Sequence, residues 1–386
     1  MNNIIKIFLL FLGLGLTSFG GPAAHIGYFR KTFVQDLNWL DDKQYASFVA
    51  LSQFMPGPAS SQVGFAIGYH RGGLAGALSA FLGFTLPSFL LLFLFAVTSA
   101  AWQELGVVAG IIHGLKLLAV VVVADATLSM FKQFCQRKTA QCLMLMTAVA
   151  VLVLPSLFTQ ILVLIFAALV GAMFMTRGNG TLPETSTIQL NFWWLGLFII
   201  ALVASLFLAN QPDSLGQIFG QFYQVGSLVF GGGHVVLPLL ETNVGELVTQ
   251  DRFLTGYALA QAIPGPMFTL ATFLGADIWL ESPIQGALVA TIAIFMPGFL
   301  LMLVGLKSWR AISQRPTIAG CLAGVNAAVV GLLLAALYQP VFVSAVAAPM
   351  DIALVILGFG LLKMFKPSIV LLVFGFACSG AVIGVM

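Results

Sequence analysis

The run LSAFLGFTLPSFLLLFLFAVTSA (78–100) contains no charged side chain and exceeds the roughly 20 residues that a helix needs to cross the hydrocarbon core of a bilayer. Comparable runs follow along the chain, and they restrict it to a large buried core or to lipid. Composition decides between the two. Only 8% of the 386 residues are charged, against about 25% in soluble domains, so most of the surface has to face something other than water. Segments of about ten residues alternating apolar and polar, the mark of a membrane barrel, are absent. An all-α polytopic membrane protein, surrounded by membrane lipid, is expected. The formal charge of +3 is too small to draw a nucleic acid. Cys135, Cys142, Cys321 and Cys378 have no metal-ligand spacing and read as packing residues. No paired-cysteine motif or HExxH spacing occurs, so no enzyme, metal or cofactor is expected. The opening IIKIFLLFLGLGLTSFGG (4–21) has Lys6 as its one basic residue and recurs later, so it reads as retained rather than as a leader.

The chain is written twice. FVALSQFMPGP (48–58) matches YALAQAIPGP (257–266), setting Leu51, Gln53, Pro56, Gly57 and Pro58 over Leu259, Gln261, Pro264, Gly265 and Pro266. Upstream, Phe19, Gly20 and Gly21 fall over Phe230, Gly231 and Gly232. Downstream, TLPSFLLL (85–92) falls over FMPGFLLM (295–302), and GLKLLAVV (114–121) over GVNAAVVG (324–331). Pro87 then stands opposite Pro297, both read as kinks, and Lys116 opposite Asn326. The matches keep one order at offsets of 208 to 211 residues, which defines a duplication.

Loop charges orient the copies, because cytoplasmic loops collect Lys and Arg. Basic residues mark first-copy loops at 30–43, 70–71 and 132–138, and the corresponding second-copy loops carry mainly acids, among them Glu241, Glu246, Asp277 and Glu281. Where the first copy has no basic residue (99–106 and 154–158), the second has Lys307, Arg310 and Arg315, then Lys363 and Lys366. The sign swaps sides, so the repeats are inverted in the membrane. Inversion needs an odd number of crossings between them. The expected layout is a first transmembrane repeat over 1–176, a cytoplasmic linker over 177–190, a linking helix over 191–210 and the inverted repeat over 211–386.

Proline removes a backbone donor, so Pro56-Gly57-Pro58 interrupts any helix it enters. The runs on either side, from about Gln44 to Met55 and from Pro58 to Tyr69, each reach roughly 18 Å as helix. Neither spans a core of about 30 Å. A re-entrant hairpin turning at mid-membrane is expected there, another at Phe19-Gly20-Gly21-Pro22, and twins at 231–233 and 264–266 from the opposite side. Broken half-helices meeting at the midplane of inverted repeats are how many secondary transporters form substrate sites. Helices starting near Pro22, Pro58, Gly233 and Pro266 aim unbonded amides at the centre and favour an anion. Gln53, Ser60, Ser61, Gln62, Gln261 and Thr269 add donors. The candidate binding residues are Gly20, Gly21, Pro22, His25, Gln53, Pro56, Gly57, Pro58, Ser60, Ser61 and Lys116 of the first copy. Those of the second are Gly231, Gly232, Gly233, His234, Gln261, Pro264, Gly265, Pro266 and Asn326.

Lys116 is included because it falls near mid-depth of its run, and an intramembrane lysine costs about 2.5–3.5 kcal/mol on insertion scales, which makes function the default. A structural ion pair is the alternative. His113 shares its helix face; Asp125, nine residues on, does not. His25 and His234 follow the two FGG breaks, with packing as their alternative role. Arg30, Lys31 and Arg71 read as solvated loop cations, and Asp277 and Glu281 as loop acids.

FGGPAAH (19–25) and QFMPGP (53–58), repeated as FGGGH (230–234) and QAIPGP (261–266), resemble the signature of the chromate ion transporter family in its long two-domain form. The resemblance covers nearly the whole chain. It implies a secondary transporter exporting chromate across the bacterial inner membrane and conferring resistance, with a cytoplasmic N-terminus. Sulfate or another oxyanion, carried by a transporter or channel of the same architecture, is the alternative, since sulfate shares chromate's charge and tetrahedral shape. The second copy departs from the pattern in having Gly233 at the place of Pro22. Export on membrane potential alone and proton coupling through His25, His113 or His234 are both compatible with the sequence, as are a monomer and a homodimer.

Overall fold

Helices begin and end where prolines, glycines and short polar side chains dictate. A computed structural model describes residues 3–102, 106–176, 191–230, 233–306 and 315–384. The first repeat contains α1 (Asn3–Thr17), α2 (Gly21–Phe29, continued by a π-helical turn Arg30–Asp36), α3 (Asp42–Phe54) and α4 (Ala59–Trp102). It ends with α5 (Gly106–Phe134), α6 (Lys138–Val153) and α7 (Leu157–Phe174). After α8 (Phe192–Leu208) the same order returns: α9 (Leu215–Leu228), α10 (Val236–Val244), α11 (Gln250–Ala262), α12 (Leu270–Ile278) and α13 (Pro283–Gly305). α14 (Pro316–Ala336), α15 (Pro349–Phe365) and α16 (Ile369–Ile383) complete it. Even the caps repeat. Asp41 accepts the Gln44 amide at the start of α3, and Thr249 accepts the Arg252 amide at the start of α11. Ser156 and Ser368 cap α7 and α16 in the same way.

The copies differ where the returning half-helix joins its span. In the first, α4 runs through a bend at Gly72 and Gly73, whose φ is 61°, so the basic loop expected at 70–71 shrinks to two glycines. In the second, α12 and α13 are separate helices joined through residues 279–282. The expected linker at 177–190, Gly231, Gly232 and the side chain of His234 lie outside the described residues, as do Lys307 and Arg310.

Among the described residues five stretches are long and apolar enough to cross a membrane: Ala59–Thr98, Gly106–Phe134, Leu157–Phe174, Pro283–Gly305 and Pro316–Ala345. Large apolar side chains such as Phe158, Leu169, Trp193 and Phe207 are exposed on α7 and α8, as lipid-facing surface requires. The repeats interlock by exchange: α16 packs on α5, and α7 packs on α14. Small residues allow both approaches, with Gly110 against Gly380 and Gly171 against Gly320. Aromatic rings fill the seam between α4 and α13, where Phe65 stacks on Phe299 at 4.4 Å.

α1, α3, α9 and α11 have 15, 13, 14 and 13 residues, or roughly 20 Å each. Each stops at a sequence break, short of the length that a span needs. At the two Pro-Gly-Pro turns, Gly57 has φ 118° and Gly265 φ 105°, angles that side-chain-bearing residues rarely adopt. Neighbouring atoms close the remaining room: a Cβ at Gly57 would stand 2.9 Å from the Gly298 Cα, and one at Gly265 would stand 2.8 Å from the Ser88 Oγ. Gly57→Ala and Gly265→Ala are each expected to destabilise the fold by about 1–3 kcal/mol through backbone strain alone, before the clash is added. Gly196→Ala on α8, where a Cβ meets nothing within 4 Å, should leave thermal unfolding in detergent unchanged.

Candidate functional site

Each Pro-Gly-Pro turn is tied to the other repeat. The Gly57 amide donates to the Val229 carbonyl at 2.7 Å, and the Gly265 amide donates to the Ser18 carbonyl at 3.0 Å. Ser18 and Val229 are equivalent residues, each one ahead of an FGG break. The two bonds are therefore one contact made twice, related by the pseudo-two-fold that exchanges the repeats. Near that axis the equivalent residues Pro22 and Gly233 face each other: a Cβ at Gly233 would lie 3.2 Å from Pro22 Cγ. The departure of the second copy has a steric reason, because two prolines at this place would meet ring to ring.

Two adjoining cavities lie to one side of the crossing. The larger, about 430 Å³, ends inwardly at Gly20, Gly21, Pro22, Gly233, Gln261 and Gly265. It runs along α5 past Asp125 and Ser129 to Pro367 and Ile369 at the turn between α15 and α16. The smaller, about 220 Å³, shares Pro22 and Ala23 and is lined by Gln53, Gly57, Ala59 and Asn326. Both lead toward the face that carries Lys132, Arg137, Lys138 and Lys366. Helix starts point into this space. α2 begins behind a left-handed Gly20 with no side-chain cap, so its first-turn amides have no intrahelical partner. In α4 the Gln62 amide bonds the Pro58 carbonyl at 2.9 Å, so those of Ala59, Ser60 and Ser61 precede the helical ladder.

Of the residues singled out from sequence, the cavities gather Gly20, Gly21, Pro22, Gln53, Gly57, Gly233, Gln261, Gly265 and Asn326. Pro56, Pro58, Pro264 and Pro266 form the turns, and Ser60 and Ser61 are buried in the first turn of α4. His25 is wholly buried; its Nε2 donates to the Ser18 carbonyl and its Nδ1 accepts from the Ser60 hydroxyl, both at 3.2 Å. A carbonyl can only accept, which fixes that tautomer. His25 thus braces the same oxygen that receives the Gly265 amide. Lys116, buried on α5, is ion-paired with Asp251 in the first turn of α11 and lines neither cavity. His113 bonds Asp351 at 2.8 Å.

Asp277 is not the solvated loop acid expected from sequence. It is largely buried and accepts from Arg252 Nε at 2.9 Å, while Arg252 also donates to the Ala96 carbonyl, pinning α11 and α12 to α4. Sequence reasoning also passed over the pair of Lys363 and Asp125, the latter in the cavity wall. Gln160 was missed as well, although a lone amide in the apolar run 157–174 is a readable signal.

On the opposite face the equivalent space is nearly filled. Val122, Asp125, Ala126 and Ser129 correspond to Leu332, Ala335, Ala336 and Gln339, which line a cleft of about 50 Å³. α10 closes this cleft, because Gln160 Nε2 donates to the Pro238 carbonyl at 3.3 Å and to the Thr242 hydroxyl at 2.6 Å. The corresponding first turn of α16, residues 369–372, is wholly aliphatic. Among the described residues no such bond holds α2 against it.

These features define a polytopic helical membrane protein of two interlocked repeats with a central broken-helix cavity. The chain belongs to the chromate transporter family, whose model matches residues 5–172 and 216–383. A chromate transport protein of Cupriavidus metallidurans is 26% identical over 98% of this chain and 92% of its own. A probable chromate transport protein of Synechococcus elongatus is 29% identical over 84% and 81%, and an uncharacterised transporter of Methanocaldococcus jannaschii 28% identical over 86% and 83%. No solved structure matches the chain.

The steric reading of the axis has a compensation test. Gly233→Val should lower thermal stability in detergent by about 1–3 kcal/mol, the usual range for overpacking. Adding Pro22→Gly should recover part of that loss, whereas Pro22→Gly alone should not stabilise.

Proposed function

We propose that the protein is a secondary transporter that exports chromate from the cytoplasm by alternating access, with chromate resistance as the cellular result. The observation that carries this reading is the uncapped start of α2 at the inner end of both cavities. A helix N-terminus offers free N–H groups and about half a positive charge, worth up to about 2 kcal/mol to an anion in partly buried geometry. Gln53, Gln261 and Asn326 beside it supply neutral amides that can donate to tetrahedral oxygens. The family's description and the relatives named for chromate transport support chromate as cargo. Sulfate, with the same charge and shape, is the natural competitor.

The cavities lead toward the Lys- and Arg-bearing face, which the positive-inside rule makes cytoplasmic. In a bacterial inner membrane this puts the N-terminus inside and the filled cleft outside. A dianion leaving a negative interior releases about 2.3 kcal/mol per charge for each 100 mV, so potential alone can drive export. Exchange of conformations between the repeats would open the cleft behind α10 and bring Lys116, the equivalent of Asn326, to the outward cavity. Lys116 then belongs to the outward-facing state, with Asp251 holding it in the inward one.

In inside-out vesicles, an imposed potential should drive chromate accumulation that sulfate reduces; absence of potential-dependent accumulation of either anion overturns the reading. The closure by α10 has its own test. Losing the two bonds of Gln160 removes about 1–3 kcal/mol, a shift of roughly 5- to 150-fold between states. A cysteine at Ala336 should therefore react severalfold faster with a periplasmic thiol reagent in the Gln160→Ala background, and an unchanged rate would reject the latch.

A further inference from the structure

A cavity that is to admit a dianion has a carboxylate in its wall. Asp125 lines the larger cavity about two thirds of the way along α5, between its inner end and Ser129. Left alone, it would repel the cargo. Its carboxylate is paired with Lys363, on the last turns of α15, and both side chains keep about a third of their surface exposed (30% and 35%). Lys363 is also held 5.7 Å above the Phe359 ring. The pair is not part of the scaffold that the repeats share. On the other side, the same packing of α14 on α6 is built with Ala335 at the place of Asp125 and Leu152 beside the place of Lys363, both lining the filled cleft. Helix association there needs no ion pair, so its presence on the open side calls for another reason.

Resting on the oxyanion reading above, we infer that Lys363 is the positioning residue that admits the anion to the cavity, with Asp125 as its exchangeable counter-ion. In the empty cavity Asp125 holds the ammonium turned toward α5 and cancels its charge. An incoming dianion takes over the ammonium, and the partial exposure of the pair lets the carboxylate re-solvate as it is released. Lys363 thereby hands the cargo inward to the start of α2, while Asp125 keeps the empty site from retaining a small anion. Lys366, exposed one turn further on, adds to the basic field at the mouth but has no partner carboxylate of this kind among the described residues.

The inference orders the variants in a way that a merely structural pair does not. Lys363→Met leaves a bare carboxylate in the wall, and chromate uptake into inside-out vesicles should fall at least about tenfold, the lower end of focusing effects in charged clefts. Asp125→Asn should keep uptake at low chromate or raise it. The double variant, with neither charge, should transport better than Lys363→Met alone.

A second readout needs no transport. In a background with the four native cysteines replaced, a cysteine at Ser129 reports the cavity's field as the ratio of its reaction rates with an anionic and a neutral thiol reagent. Lys363→Met should lower that ratio about tenfold or more, and Asp125→Asn should raise it. An unchanged ratio, or no recovery of uptake in the double variant, overturns the role of Lys363. Ratios that follow the predicted order in every variant, with a wild type that accumulates neither chromate nor sulfate, would instead reject the oxyanion reading on which the inference rests.

Discussion

Two backbone hydrogen bonds hold the centre of this molecule, Gly57 to Val229 and Gly265 to Ser18. Each serves a turn that proline has removed from the helical ladder. An unpaired buried amide costs about 1–3 kcal/mol, so each of these needs a carbonyl. The other repeat supplies it. Each break is therefore supported by the other copy, which gives the duplication a structural role beyond the sequence relationship. The positive φ of both glycines and the contact of Gly57 with Gly298, mirrored by Gly265 with Ser88, belong to the same crossing.

A centre fixed in this way leaves the far ends of the half-helices as the parts able to differ, and they do. The backbone scheme is shared, but the side chains are not: Pro22 faces Gly233, Lys116 corresponds to Asn326, and Gln160 lies in a turn whose counterpart is aliphatic. One consequence is visible in the cavities, about 430 Å³ on one face and about 50 Å³ in the equivalent place on the other. A perfectly symmetric pair of repeats would hold its two open states at equal energy. In the proposed transport cycle the Gln160 clamp favours one of them, so divergence between the copies would set a resting direction.

The architecture was legible because its causes are local. Apolar run length and the absence of a proline donor act within a few residues, and they located the helices and the breaks at 56–58 and 264–266. The residues lining the cavities were legible to the extent that they sit on those breaks, as Gly20, Gly57, Gln261 and Gly265 do. What sequence left unread depends on contacts between distant segments. Lys116 meets Asp251 across 135 residues, so its environment could not be read from its own helix. Asp277 looks like a loop acid until Arg252 is folded against it. Asp125 is out of phase with Lys116 on its own helix, and its partner Lys363 comes from the other repeat.

The pairing of these charges bears on turnover as well as on folding. Lys116, Arg252 and Lys363 are all matched with carboxylates, Asp251, Asp277 and Asp125. A bare ammonium in a low-dielectric cavity would attract a dianion by many kcal/mol, and the complex would release its cargo slowly. Conduction and transport need binding favourable enough to fill the site and weak enough to empty it. Helix-end partial charges and neutral amides meet that requirement, because each contributes about 2 kcal/mol or less. In the proposed path Lys363 is held in reserve by Asp125, so attraction grows only as the anion displaces that carboxylate and falls again when it moves on. Along that proposed path Asp125, the carboxylate in the cavity wall, limits the depth of the binding well, and an anion transporter that lacked it would trade rate for affinity.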